Sequence, residues 1–164
     1  MNIVLLEPEI PLNTGNIGRT CVATNTKLHL IKPLGFSVTD KYIKRAGLDY
    51  WKNVDVSYYE NYEEFISVNG DKNIFMATTK ALNTYTDVKY DNDCFIMFGK
   101  ESAGIPEKIL MNNKEKCIRI PMLDGCRSLN LSNSAAIVLY EALRQNNFNG
   151  LLKKGQLHRH SWNE

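Results

Sequence analysis

The chain has 164 residues, a length that a single domain fills and that buries enough surface to fold without a metal or disulfide staple. Twenty Lys and Arg against eighteen Asp and Glu leave a net charge of +2, which excludes both a uniformly basic coat and an acidic disordered tail. With 43% apolar and 23% charged residues, the composition is that of a folded, soluble domain.

The first apolar run, residues 3–6, has no basic segment before it and Glu7 directly after it, so neither a secretory signal nor a membrane span is expected there. In that setting the four cysteines, Cys21, Cys94, Cys117 and Cys126, which form no CxxC pair, are expected as reduced thiols of a cytoplasmic protein. No metal site is expected, because His158 and His160 have no cysteine at ligand spacing.

Further apolar runs at 28–31, 54–59, 74–77, 94–98 and 117–120 predict strands, several of them continuous rather than alternating, as in strands covered on both faces. Helical stretches are expected between them at about 15–25, 41–46, 62–68 and 106–111, with a long helix after Asn130. Asp40 and Asn61 suit N-caps, and Pro106 suits a first helical position. The alternation implies an α/β fold, a mainly parallel sheet with helices on both faces. No repeat or linker divides the chain, so residues 1–150 are read as one domain and 151–164 as a basic tail.

In the last helix, Leu131, Ala135, Val138, Leu139 and Ala142 recur at i, i+4, i+7, i+8 and i+11 and make a core-facing stripe. Ala136, Ile137, Tyr140 and Leu143 make a second apolar strip beside it. Such a helix is covered on two sides, either as the central helix of a monomer or by a second subunit of a homodimer.

Charge is uneven along the chain. Lys41, Lys44, Arg45 and Lys52 cluster near Tyr42, Tyr50 and Trp51, while Arg144, Lys153, Lys154 and Arg159 lie near Phe148 and Trp162. Cations that neutralise phosphates, interleaved with aromatics that stack on bases, suit RNA; a solvated surface with a mobile tail is the plainer alternative.

Three loops follow predicted strands, where open α/β sheets bind ligands. In the first, 8–19, two prolines stiffen the chain, Asn13 or Thr14 can cap the next helix, and Arg19 is expected about one turn inside it. A cation there opposes the helix dipole, which favours an anion-binding or substrate-orienting role for Arg19. The second, 98–106, sets Glu101 between Gly99 and Gly104; its spacing is not that of a Walker loop, and Gly15 and Gly18 do not make a dinucleotide fingerprint, which disfavours a nucleotide-dependent enzyme. In the third, Ser128, Asn130, Ser132 and Asn133 crowd the start of the long helix, more hydroxyl and amide groups than one cap requires.

Together these loops resemble the three signature motifs of the SPOUT-class, trefoil-knot RNA methyltransferases: Asn13 to Arg19, Gly99 to Pro106, and Ile120-Pro121-Met122 with Ser128 to Asn133. The opening residues 3–16 and the run from Arg45 to Tyr50 resemble more narrowly the small branch that is a catalytic domain alone and methylates the ribose of the tRNA wobble nucleotide. The resemblance covers about residues 2–150 and leaves the tail without an inherited role.

It implies a deep C-terminal trefoil knot, S-adenosylmethionine as cofactor, tRNA at its anticodon region as partner, a homodimer, and 2'-O-methylation of cytidine or 5-modified uridine at position 34. It places the cofactor against Ala77, Thr78, Gly99, Ile120, Met122, Ser128 and Leu129. It gives Arg19 the lead role at the hydroxyl, with Asn13, Glu101 and Asn130 orienting it and the ribose. A guanidinium keeps its proton, so Arg19 would stabilise developing alkoxide charge or grip an adjacent phosphate. The alternatives are an RNA-binding protein of this fold without catalysis, or methylation at another RNA site.

Overall fold

The computed structural model describes residues 1–37 and 50–162. The helix expected at 41–46, its cap Asp40, and Lys41, Lys44 and Arg45 lie outside the described residues.

Among the described residues seven strands form one sheet: β1 (Asn2–Leu6), β2 (Lys27–Ile31), β3 (Val56–Tyr59), β4 (Ile74–Ala77), β5 (Asn83–Thr84), β6 (Phe95–Phe98) and β7 (Cys117–Arg119). Their order is β3-β2-β1-β6-β4-β7-β5, and every pairing is parallel. Residues of β1 are buried throughout, because the strand lies between β2 and β6 with helices above and below. Successive side chains alternate between two cores. Ile3 and Leu5 join one core with Ile17 and Cys21 of α1 (Pro11–Thr24) and Ala135, Val138 and Leu139 of α4 (Leu131–Gln145). Val4 and Leu6 join the other with Phe65 of α2 (Tyr62–Asn69) and Leu110 of α3 (Glu107–Met111).

The expected α/β alternation is observed, with corrections at the ends of elements. Asn61 caps α2, its side-chain oxygen accepting the Glu64 N–H at 2.8 Å, and Glu63 and Glu64 sit favourably in the first turn. Pro106 is the N-cap of α3 rather than its first helical residue. Helix α1 begins at Pro11, four residues before the expected start at Gly15, so Asn13 and Thr14 lie inside its first turn and cap nothing. Ile10 is the N-cap residue and offers no side-chain acceptor. Thr14 is fully buried, and its hydroxyl has no hydrogen-bond partner among the described residues. Strand β5, two polar residues long, has no apolar pattern to announce it.

The stripe of α4 is buried at Ala135, Val138, Leu139 and Ala142. Of the second strip, Leu143 belongs to the same core, Ala136 is half-buried, and Ile137 and Tyr140 are 37% and 48% exposed. Past Gly150 the described tail is mostly exposed and contains neither helix nor strand.

The connections at the C-terminal ends of the strands shape the site. Strand β7 inserts between β4 and β5, although β4 and β5 are consecutive in the chain. Ala77 and Asn83 therefore flank Ile118 from opposite sides, and the Thr78 N–H and Tyr85 N–H donate to the carbonyls of Ile118 and Arg119, both at 2.9 Å.

Candidate active site

A cavity of about 610 Å³ opens where β4, β6 and β7 end. That lies within the range of small-molecule sites and at the edge of an open parallel sheet where such sites form. Ala77 and Thr78 line it from the end of β4, Gly99 and Glu101 from the end of β6, and Ile120 and Met122 from the end of β7. Ser128, Leu129 and Asn130 close it from the approach to α4, and Asn13 reaches it from α1. Ten of the eleven site residues expected from the sequence thus line one cavity. The exception is Arg19.

Arg19 is the ninth residue of α1, about two turns inside, and is exposed, with its guanidinium 5.0 Å from the centre of the Tyr50 ring. The dipole acts within about the first turn, so the expected clash between this cation and the helix N-terminus does not arise. From Asn13 to Arg19 the helix rises about 9 Å and turns by about 120° away from the cavity-facing side, at 1.5 Å and 100° per residue.

A chain of hydrogen bonds ties the two helices and the second loop together. Asn130 caps α4: its Oδ1 accepts the N–H groups of Ser132 and Asn133 at 2.9 and 3.3 Å and the Ser132 hydroxyl at 2.7 Å. Asn130 Nδ2 donates to Asn13 Oδ1 at 3.0 Å, and Asn13 Nδ2 donates to Glu101 Oε1 at 2.9 Å. Glu101 then accepts the N–H groups of Glu9 at 2.8 Å and Ile10 at 3.3 Å. The loop after β6 thus supplies a carboxylate to the backbone immediately before α1, which has no acidic residue in its own first turn. The crowding of polar groups at the start of α4 is explained in part by the same network, since the Asn130 and Ser132 side chains are consumed in the cap.

Sequence reasoning missed a second latch between the same loops. Glu9 accepts the Ser102 N–H at 2.9 Å and the Ser102 hydroxyl at 2.8 Å, bonds that hold its carboxyl below the usual range. The Lys100 ammonium donates to Glu7 at 2.8 Å, and that carboxylate holds Lys100 above the usual lysine range. These partners are over ninety residues apart in the chain, and no local signal pairs them. Lys80 and Arg127, also unassigned from the sequence, line the cavity.

Gly99 is required by the backbone. A Cβ there would overlap the carbonyl of Gly104 and the nitrogen of Ile105, and Gly104 itself has φ +71°, a conformation that side-chain-bearing residues rarely adopt. The loop is folded tightly onto itself, leaving Gly99 backbone as part of the cavity floor. Apolar Ile120, Met122 and Leu129 beside hydroxyl-bearing Thr78 and Ser128 form a wall that fits a ligand with a flat heteroaromatic end and a polar, charged end, as S-adenosylmethionine has.

None of the cysteines lines the cavity. Cys21 and Cys94 are buried, and burial pushes both thiols up to about 12, so neither offers a thiolate nucleophile. Among the described residues no three His, Cys, Asp or Glu side chains are grouped to hold a metal ion, and no helix is long and apolar enough to cross a membrane.

The parallel sheet and the cavity built from three loops define an α/β fold with a small-molecule site at the carboxyl ends of its strands, and the sequence pattern of the SpoU rRNA Methylase family matches residues 1–140. The chain belongs to that family. It is 54% identical over 156 residues to a relative from Listeria monocytogenes serotype 4b, covering 93% of this chain and 92% of the relative. It is 47% identical over 150 residues to the tRNA (cytidine(34)-2'-O)-methyltransferase of Methylovorus glucosotrophus, covering 91% and 97% of the two chains. Among solved structures it is similar to one described as giving structural insights into the 2-OH methylation of C/U34 on tRNA, with a TM-score of 0.84, 36% identity, and coverage of 89% and 95%. The AdoMet-bound rRNA methyltransferase from Sinorhizobium meliloti shares the fold, with a TM-score of 0.79 at 24% identity over 87% of this chain and 55% of that one.

Proposed function

We propose that this chain transfers a methyl group from S-adenosylmethionine to the ribose 2'-hydroxyl of the wobble nucleotide of tRNA, cytidine or 5-modified uridine at position 34. The observation that carries the reading is the meeting of the three loops at one cavity, tied by the Asn130–Asn13–Glu101 hydrogen bonds. Relatives named for this activity over nearly the whole chain support the choice of substrate.

When bound, S-adenosylmethionine supplies a methyl group already activated on a sulfonium, so the protein's tasks are to hold the hydroxyl in line and to stabilise the charge that develops on its oxygen. Ala77, Thr78, Gly99, Ile120, Met122, Ser128 and Leu129 would hold the cofactor. Asn13, fixed at both ends of its amide, and Asn130 would orient the ribose, with Glu101 locking Asn13 in place. Arg19 would meet the alkoxide or a neighbouring phosphate with its planar guanidinium.

Because Arg19 lies on the side of α1 away from its own cavity, its action there calls for a second chain. Leu12 (52% exposed) shares the exposed side of α1 with Arg19, and Ile137 and Tyr140 are exposed on α4. These support a homodimer in which α1 of one chain meets the cavity of the other. The insertion of β7 between β4 and β5 supports the trefoil knot of the catalytic domain, residues 1–150; the basic tail, residues 151–164, is read as an appendage to it. A cytoplasmic setting follows from the tRNA substrate. Mass-spectrometric mapping of tRNA from a strain lacking the gene tests the reading: the 2'-O-methyl group at position 34 should disappear and return on complementation. Its persistence in the deletion strain would count against this substrate.

A further inference from the structure

We propose that Tyr50 is a positioning residue for Arg19, holding one face of the guanidinium against its ring so that the N–H edge stays free for the anion at the target ribose. The inference rests on the reading of Arg19 given above.

The contact is a cation over an aromatic ring. The Arg19 guanidinium carbon lies 5.0 Å from the centre of the Tyr50 ring, within the range of a cation–π contact. Six other cations, Lys27, Lys32, Lys72, Lys80, Lys100 and Arg144, have a carboxylate within salt-bridge distance. Among the described residues Arg19 has neither an ion pair nor a hydrogen bond. That difference matters for chemistry. A carboxylate would occupy the N–H fork that has to meet the substrate, whereas an aromatic face leaves all five N–H groups in the guanidinium plane available.

The local fold explains how the ring comes to be there. Gly18 precedes Arg19 on α1, and a Cβ at Gly18 would come within 2.9 Å of the Trp51 ring, so Trp51 lies directly on the helix surface. Trp51 packs against the core shared by α1 and α4. A short 3-10 turn follows, with the Asn53 N–H donating to the Tyr50 carbonyl at 2.8 Å and the Val54 N–H to the Trp51 carbonyl at 3.1 Å. Trp51 anchors the segment, and Tyr50, 39% exposed, is left to cover the neighbouring arginine. An arginine on a bare helix surface would lose rotamer freedom each time it engaged substrate; one already stacked loses less.

The test combines Tyr50→Phe, Tyr50→Leu, Arg19→Ala and the Tyr50→Leu/Arg19→Ala double variant in single-turnover methylation with saturating tRNA. Tyr50→Phe keeps the ring and should keep the rate within about two-fold. Tyr50→Leu should slow the reaction by about 5- to 30-fold, and in the Arg19→Ala background it should cost nothing further. Incorporating tetrafluorophenylalanine at position 50 keeps the shape while draining the ring's negative face, and should slow the reaction even if Tyr50→Leu folds poorly. Full activity in Tyr50→Leu or with the fluorinated ring, or losses that multiply in the double variant, would overturn the role of Tyr50 alone. A wild-type rate in Arg19→Ala would overturn the reading of Arg19 and this inference with it.

Discussion

Replacing Glu101 by alanine removes three acceptor contacts at once and leaves specific groups unpaired. The N–H groups of Glu9 and Ile10 lose the carboxylate that serves the start of α1, a capping and dipole contribution of about 1 kcal/mol. The Ile10 N–H is exposed and can take water instead. The Asn13 amide, in a residue only 4% exposed, loses its acceptor as well, and leaving a buried donor unsatisfied costs about 1–2 kcal/mol. The sum is about 2–3 kcal/mol, which at about 2–4 °C for each kcal/mol in a chain of this size lowers the melting temperature by about 5–10 °C. Glu101→Gln keeps the volume but turns an amide donor toward N–H donors, and should cost about half as much. Asn13 is then held only by Asn130, so single-turnover methylation should fall by about ten-fold or more. The assay is thermal unfolding of the wild type, both single variants, Asn13→Ala and the Glu101→Ala/Asn13→Ala double variant, run beside single-turnover rates. Coupling of about 1 kcal/mol between the two positions is expected. A melting temperature within one degree of wild type, or strictly additive losses, would show that Glu101 does not organise α1 and Asn13.

Three further outcomes follow from the geometry. Gly99→Val should fail to fold rather than simply lose cofactor binding, because its Cβ would overlap the Gly104 and Ile105 backbone; Leu129→Trp, at an exposed cavity position, should retain the wild-type melting temperature yet weaken S-adenosylmethionine binding in calorimetry, and unchanged affinity would remove Leu129 from the cofactor wall. His29 is buried between the Tyr59 hydroxyl and Asn2 Oδ1, at 2.9 and 3.1 Å, and burial, aided by nearby Lys27, holds its imidazole down to about 4 from the ordinary 6.5. The neutral form is the folded form, so this contribution is complete above pH 6.5 and is lost as pH falls toward 4, up to about 3 kcal/mol by urea unfolding; a His29→Gln variant with the same pH dependence as wild type would contradict it. Tyr140→Asp should shift the sedimenting species toward monomer, and mixing Arg19→Ala with the cavity variant Asn130→Ala should restore activity if Arg19 serves the partner's cavity; a wild-type protein that is monomeric at micromolar concentration would contradict both.

The parts of the fold that were legible in the sequence are those fixed by local pattern. Continuous apolar runs became the buried strands β1, β2, β4 and β6, and the spacing of Ala135, Val138, Leu139 and Ala142 gave the core face of α4. The three loops were legible as motifs because their glycines, asparagines and Glu101 are unusual together. What stayed hidden depends on distant partners. The start of α1 at Pro11 is supported by Glu101, over ninety residues away from the N–H groups it accepts. The Lys100–Glu7 and Ser102–Glu9 latches have the same character. Leu143 read as part of an outer strip, but its place at the end of α4 turns it into the core. Arg19 was grouped with Asn13 because they share a motif, whereas six residues of helix separate them in height and direction.

The most direct measurement uses purified protein, labelled S-adenosylmethionine and two tRNA substrates that differ only in a ribose or 2'-deoxyribose at position 34. Label should enter the ribose substrate at nucleotide 34 and nowhere else, and the deoxy substrate should bind but accept none. Equal labelling of both substrates, or label at another nucleotide, would contradict the assignment of the wobble 2'-hydroxyl as the methyl acceptor.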